Sequence, residues 1–343
     1  MAFSPEPGAA LGTPPAAMAQ AEQPGQSGPT GVASRVPLHG AIVVDKPRGM
    51  TSFTALRAVQ RCLDVRGAGH AGTLDPMATG VLVVLVGEVT KLSALLMDHD
   101  KEYLAEITLG RETDTLDGDG ETTETQPVPQ LDEARVRSAL AAFVGTHLQV
   151  PTRYSAIKKD GRTHMSRARN GESFEIEARP SLCHAMDLVE LDRERGVLTV
   201  RCHVGKGYYI RSFARDLARA LGTVGHLSAL RRTRVGAFDL ARAINPDEAR
   251  PEHLVALADC VPDLPRLWCG PDLEDDVRCG RPVVIDPRAS GVLTDPDARS
   301  ALALTAQGGP IALVDLIPSS QGGRRVKVTR GLNVPPPQEL LHR

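Results

Sequence analysis

The chain has 343 residues, 41% of them hydrophobic, and its 40 lysines and arginines nearly balance 42 aspartates and glutamates, for a formal charge of −2. That length suits two domains of an ordinary globular protein, and no apolar run approaches the length that spans a bilayer, so no membrane-spanning helix is expected. Six cysteines make no Cys-x-x-Cys pair and no finger-like spacing with histidine, which excludes a zinc finger and leaves them as reduced core thiols of a cytoplasmic protein.

In chain order, residues 1–36 are rich in Pro, Gly, Ala, Ser and Gln and lack both a basic start and an apolar block. They are expected to form a disordered tail, not a signal peptide. Ala41–Asp45 reads as a strand, and Thr51 or Ser52 is placed to cap a helix carrying Leu56, Val59 and Leu63. A glycine-bracketed run, GHAGTLDPMATG, then displays Asp75 just before an apolar strand at Val81–Val86. Its glycines permit sharp turns and close ligand approach, and Pro76 biases Asp75 away from helix.

Tyr103–Leu109 and Val197–Val204 read as further strands, and Leu131–Val144 as a helix closed by Gly145. Ile210, Phe213, Ala214, Leu217, Ala218 and Leu221 recur at core-facing helical spacing, while Arg211, Arg215 and Arg219 recur every fourth residue. Gly222 ends that helix, and a short link leads to Leu230, Arg231 and Arg232. Strands and helices do not alternate strictly, so an α+β domain with a mixed, largely antiparallel sheet is expected over residues 37–253. From about Leu254 the chain becomes proline-rich, and short strands at Val283–Ile285, Ile311–Leu316 and Val326–Thr329 predict a small β-rich module to 334, followed by a tail at 335–343.

The near-neutral charge conceals segregation: acids dominate Asp98–Glu133, whereas Arg201–Arg234 holds eight basic residues against a single acid, Asp216. A basic face of this kind supplies the phosphate attraction on which RNA affinity rests, although a solvated helix face has the same composition.

The loop GHAGTLDPMATG resembles the signature of the TruB family of tRNA pseudouridine synthases. So do VVDKPRGMTS (Val43–Ser52), KEYLAEITLGRETDTLDGDGE (Lys101–Glu121), YSAIK (Tyr154–Lys158) and KGYYIRS (Lys206–Ser212), and the likeness is collinear from about Gly40 to Phe238. The resemblance implies the pseudouridine synthase fold, a terminal PUA-like RNA-binding domain, and conversion of uridine to pseudouridine at position 55 in the T-loop of tRNA. It implies no cofactor and no metal, and nothing in the sequence demands a partner chain, so a monomer is expected.

On the same resemblance Asp75 is the nucleophilic or ribose-activating carboxylate, and Arg211 pairs with it. Tyr103 is the family tyrosine that stacks on the target base and joins the proton step, and Tyr209 is a second pocket tyrosine. His70 contacts substrate near the site vacated by the flipped base, and Leu230 lines the pocket. Lys46 reads first as a brace for the site loop. Arg215, Arg219, Arg231 and Arg232 are the expected contacts to the RNA backbone. One departure stands after YSAIK, where THMSRARNGE puts Met165 and Arg167 at positions that the family fills with aromatics.

Three other readings fare worse. DTLDGDGE has threonine where a calcium loop counted from Asp117 needs glycine, and it lacks the distal glutamate. No GxxxxGK[ST] run marks a nucleotide-binding loop. The remaining competitor is a non-catalytic tRNA-binding or folding factor, which would have no need of Asp75, Tyr103, Tyr209 and Arg211 together.

Overall fold

The computed structural model describes residues 37–334 apart from 156, 160 and 321. The expected tails at 1–36 and 335–343 lie outside the described residues. In chain order the first half holds β1 (Gly40–Lys46), α1 (Ser52–Leu63), β2 (Ala68–His70), β3 (Thr79–Val86), α2 (Ser93–Asp98), β4 (Lys101–Leu109), β5 (Arg111–Thr113), β6 (Thr122–Thr125), α3 (Glu133–Ala141), β7 (Gly145–Gln149), β8 (Lys158–Lys159), β9 (Arg162–Thr163) and α4 (His164–Arg169). Then follow β10 (Arg179–Asp192), β11 (Val197–Val204), α5 (Ile210–Ala220), β12 (Gly225–Val235) and β13 (Phe238–Asp239). The C-terminal part adds β14 (Arg266–Cys269), α6 (Pro271–Arg278), β15 (Val283–Ile285), β16 (Ser300–Thr305), β17 (Pro310–Pro318) and β18 (Arg324–Gly331).

The main sheet runs β1-β3-β12-β4-β11-β10-β7, with β2 beside β3 and β13 beside β12. Only the β12–β3 pair is parallel, so the sheet is mixed and largely antiparallel, as expected. Strand β3 reads TGVLVVLV without alternation because it is buried on both faces. One face carries Leu82, Val84 and Val86 into a core shared with α1 and α5; the other carries Val81, Val83 and Leu85 into a core shared with Leu257, Cys260, Leu302 and Leu313. The small C-terminal sheet, β14-β16-β17-β18-β15, is β-rich as expected, and its near strands pack into that second core. Val255 bonds to Ala41 of β1, so the chain just past residue 253 still packs on the main sheet.

Several local expectations shift. Helix α3 covers Glu133–Ala141, shorter than Leu131–Val144, because the Asp132 carboxylate caps the Arg135 N–H and thereby fixes the start. In α1 the cap is Thr51, and the Ser52 side chain turns inward. The link after α5 is only residues 221–224, and Leu230–Arg232 lies inside β12, which begins at Gly225. Of the six cysteines, Cys183, Cys202, Cys260 and Cys269 are buried as expected, whereas Cys62 and Cys279 are exposed.

Candidate active site

Asp75 sits on the turn between β2 and β3, and four carbonyls around it are gripped by buried side chains. Arg232, only 1% exposed, donates Nη2 to Gly72 O at 3.1 Å and Nη1 to Thr73 O at 3.5 Å, with Nε bonded to Val81 O at 2.7 Å. The Ser52 hydroxyl donates to Leu74 O at 3.0 Å and accepts from Leu74 N at 2.8 Å. Lys46, fully buried, reaches Pro76 O at 3.4 Å while also bonding Pro47 O and Met50 O. Burial pulls the Lys46 ammonium down to about 8, against the attraction of Asp75. At Gly80 (φ +103°) a Cβ would lie 2.1 Å from Arg232 O, so only glycine lets β3 and β12 approach here.

The loop forms one wall of a cleft of about 620 Å³. Asp75, Tyr103, Tyr209, Arg211, Leu230 and Arg232 all line it, so six sequence-predicted site residues from distant segments converge. Arg211, in the first turn of α5, donates Nε to Asp75 Oδ2 at 3.0 Å. Its side chain is 9% exposed against 30% for Asp75, so the carboxylate faces the cleft while its partner is held behind. The guanidinium is fixed on its other sides by Thr115 O at 3.2 Å, Tyr154 O at 3.0 Å and Asp117 Oδ2 at 3.4 Å. Such multidentate clamping suits the planar fork of arginine and could not be reproduced by lysine.

Tyr209 precedes α5 and its hydroxyl bonds to Ser155; burial raises its pKa, so the phenol keeps its proton at neutral pH. The strand ends at Val204, so alternation does not govern Tyr208, which also borders the cleft while its ring packs edge-on to His147 in the main core.

Of the other expected residues, His70, Lys46, Arg215, Arg219 and Arg231 do not line the cleft. His70 ends β2 and does not line the cavity; its Nδ1 is buried without a hydrogen-bond partner among the described residues, and burial lowers its pKa. Lys46 lies behind the loop as the expected brace. Arg215 is bonded to Asp216, Arg219 to both oxygens of Glu112, and Arg231 to Asp45. Arg232 departs most from a place on an open basic face: it is buried beneath the loop with its guanidinium bonded to backbone carbonyls, at the inner wall of the cleft. In the departing segment, Met165 lines the cleft, while Arg167 pairs with Glu172 and lies over the Phe174 ring.

Three participants were missed. Asp117 belonged to the rejected calcium loop, yet it is buried, burial raises its pKa, and it faces Arg211. Lys101 lines the cleft with its pKa pulled down to about 8 by burial. Ser52 was read only as a cap. A polar residue at a buried helix start was the available signal for Ser52; Asp117 and Lys101 offered none without the fold.

The N-terminal domain of TruB family pseudouridylate synthase matches residues 60–210, and the C-terminal domain of tRNA pseudouridylate synthase B matches residues 211–252. The chain is also 44% identical over 235 residues to the tRNA pseudouridine synthase B of Aromatoleum aromaticum, covering 66% of this chain and 75% of that one. This chain belongs to the TruB family. As a TruB-family pseudouridine synthase it is an isomerase. The tRNA pseudouridine synthase B of Gluconacetobacter diazotrophicus is 40% identical over 289 residues, 78% of this chain and 93% of the relative. The TruB fold is also shared with a chain in the structure of an H/ACA ribonucleoprotein bound to a substrate RNA containing 2′-deoxyuridine, at a TM-score of 0.62 and 22% identity over 86% of this chain and 85% of that one.

Proposed function

We propose that the chain converts uridine to pseudouridine at position 55 in the T-loop of tRNA, with Asp75 acting at the ribose of a flipped-out uridine. The observation that carries this reading is the ion pair from Arg211 to a cleft-facing Asp75, on a loop whose backbone is clamped from behind. The relatives' names supply tRNA as the substrate class.

The reaction is an isomerisation with nothing added. The bond from ribose C1′ to base N1 breaks, the base turns, C1′ joins C5, the C5 proton departs to solvent, and N1 takes up a proton. One positioned carboxylate at C1′ and a sheltered pocket for the base meet these needs. Tyr103 serves as the base-stacking surface and Tyr209 as a neutral phenol beside it. Leu230 adds an apolar wall, and His70 contacts the RNA next to the vacated position. Shape of the T-loop dominates recognition, because the target base must be splayed out before chemistry. Arg219 and Arg231 contact the RNA backbone by exchanging their acidic partners for phosphate, and the C-terminal β-rich domain adds RNA-binding surface as a PUA-like domain.

The test is tritium release from C5-labelled uridine in an unmodified tRNA transcript. Release by the wild type, abolished in Asp75→Asn and in a transcript lacking the T-loop uridine, is the expected result. Binding without release would favour the non-catalytic folding factor.

A further inference from the structure

Outside the cleft, Asp100, His184 and His203 converge on one point of the surface, with one potential ligand atom from each lying within 4.8 Å of the others. His184 Nε2 is 3.0 Å and His203 Nε2 4.0 Å from the same oxygen, Asp100 Oδ2. The two imidazole rings are 4.6 Å apart between centroids and inclined by 36°. We propose that these three side chains form a binding site for a first-row divalent transition cation of the zinc class, separate from the catalytic cleft.

The backbone explains why they meet. In the β10–β11 ladder, Cys183 pairs with Val204 and Ala185 with His203, so His184 is an extra residue opposite no partner. That β-bulge turns its side chain toward His203, which regular alternation would not do. Asp100 is the last residue before β4, and β4 pairs with β11 so that Lys101 lies opposite Val204, next to His203. Two strands and the residue that leads into a third are therefore needed to assemble the site.

The ligand chemistry is specific. Two imidazole nitrogens and one carboxylate oxygen are the donor set of three-ligand zinc sites, with solvent in the remaining position. Ligands about 2.0–2.1 Å from a tetrahedral ion lie roughly 3.3 Å from one another. The Asp100 distances of 3.0 and 4.0 Å bracket that value, and all three donor atoms lie within 4.8 Å of one another, so closure asks side-chain rotations to bring them together by at most about 1.5 Å. The three side chains are 33–46% exposed, open enough for an ion to enter. A bound ion would tie β10 and β11 to the start of β4, at the rim where the chain passes directly into the cleft residues Lys101 and Gly205.

The test uses the full chain, made without a histidine tag, stripped with chelator and titrated with Co²⁺. One Co²⁺ per chain is expected, with visible d–d absorption of a nitrogen and oxygen site and no sulfur charge-transfer band. His184→Ala and His203→Ala should each weaken binding at least about 100-fold, since each removes a direct ligand. Asp100→Asn, which keeps shape, covers the case in which a histidine variant fails to fold, and should also weaken binding. Zn²⁺ should displace Co²⁺ and raise the melting temperature of the wild type but not of the variants. Absence of saturable 1:1 binding, a sulfur band, or equal affinity in the wild type and all three variants would overturn the site. Pseudouridine formation by metal-free protein should be unchanged in the variants, so this test and the catalytic one fail independently.

Discussion

Ser52→Ala separates loop positioning from mere stability. Ser52 is 3% exposed, and its hydroxyl meets both backbone groups of Leu74, at 3.0 and 2.8 Å, immediately before Asp75. Alanine leaves a buried N–H and a buried C=O without that partner. Each net bond contributes about 1 kcal/mol and each orphaned group costs about 1–3 kcal/mol, so a loss of about 2–4 kcal/mol in urea unfolding is expected. If the loop then relaxes by a fraction of an ångström, Asp75 loses its aim at the ribose, and single-turnover conversion should slow roughly 10- to 100-fold. Val136→Ala is the control: Val136 is fully buried in α3, far along the chain from the loop, and its truncation should cost a similar amount of stability. Its turnover rate in the folded protein should match the wild type. A wild-type single-turnover rate in Ser52→Ala would refute the claim that this hydroxyl positions the carboxylate.

Gly80→Ala should destabilise by about 3–5 kcal/mol, because a left-handed backbone and a Cβ 2.1 Å from Arg232 O must both be relieved by parting β3 from β12; thermal melting measures it, and a change under about 1 kcal/mol would contradict the close approach. Folded Lys46 releases its proton near 8, whereas its ordinary value is 10.5, so between these the unfolded state binds more protons and stability rises with pH. The buried thiols Cys183, Cys202, Cys260 and Cys269, whose pKa values burial raises, pull the opposite way, so the readout is a difference. Lys46→Met should flatten the rise by up to about 1.4 kcal/mol per pH unit through that window, and parallel curves would exclude the buried ammonium as its source. Arg219→Gln should reduce the slope of log affinity for tRNA against log salt by about 0.7–0.9; an unchanged slope would mean that Arg219 stays with Glu112 when RNA binds.

Where the sequence was legible, the constraint was local. A turn that must pass through Gly72 and Gly80 at positive φ and carry Asp75 before an eight-residue apolar strand writes itself into one short run of residues. The amphipathic period of α5 was equally local, as was Val197–Val204, whose bounds the structure reproduces. Arg232 was misread because arginine composition suggests surface, and its inward direction is set only when β12 pairs in parallel with β3 and antiparallel with β4. Asp117 was hidden for the same reason: its neighbours in sequence suggest a failed ion loop, but its partner, Arg211, is contributed by α5. The His184–His203–Asp100 cluster needs a bulge and two strand registers, none of which leaves a mark in the order of residues.

Buried polar side chains behind the loop bear on how the site works. Burying Lys46, Ser52 and Arg232 is costly, and an apolar residue could fill the same space. Each gives at least one hydrogen bond to a carbonyl at position 72, 73, 74 or 76, and these positions straddle Asp75 on both sides. Among the described residues no such side-chain bond falls on the Asp75 backbone, and its carboxylate meets Arg211 and the cleft. A loop tied only through its own glycines would sample many conformations, because glycine restricts the backbone least. The buried polar groups convert a permissive segment into a fixed one, so a residue lost behind the loop should cost rate as well as stability, whereas an equally buried apolar residue elsewhere should cost stability alone.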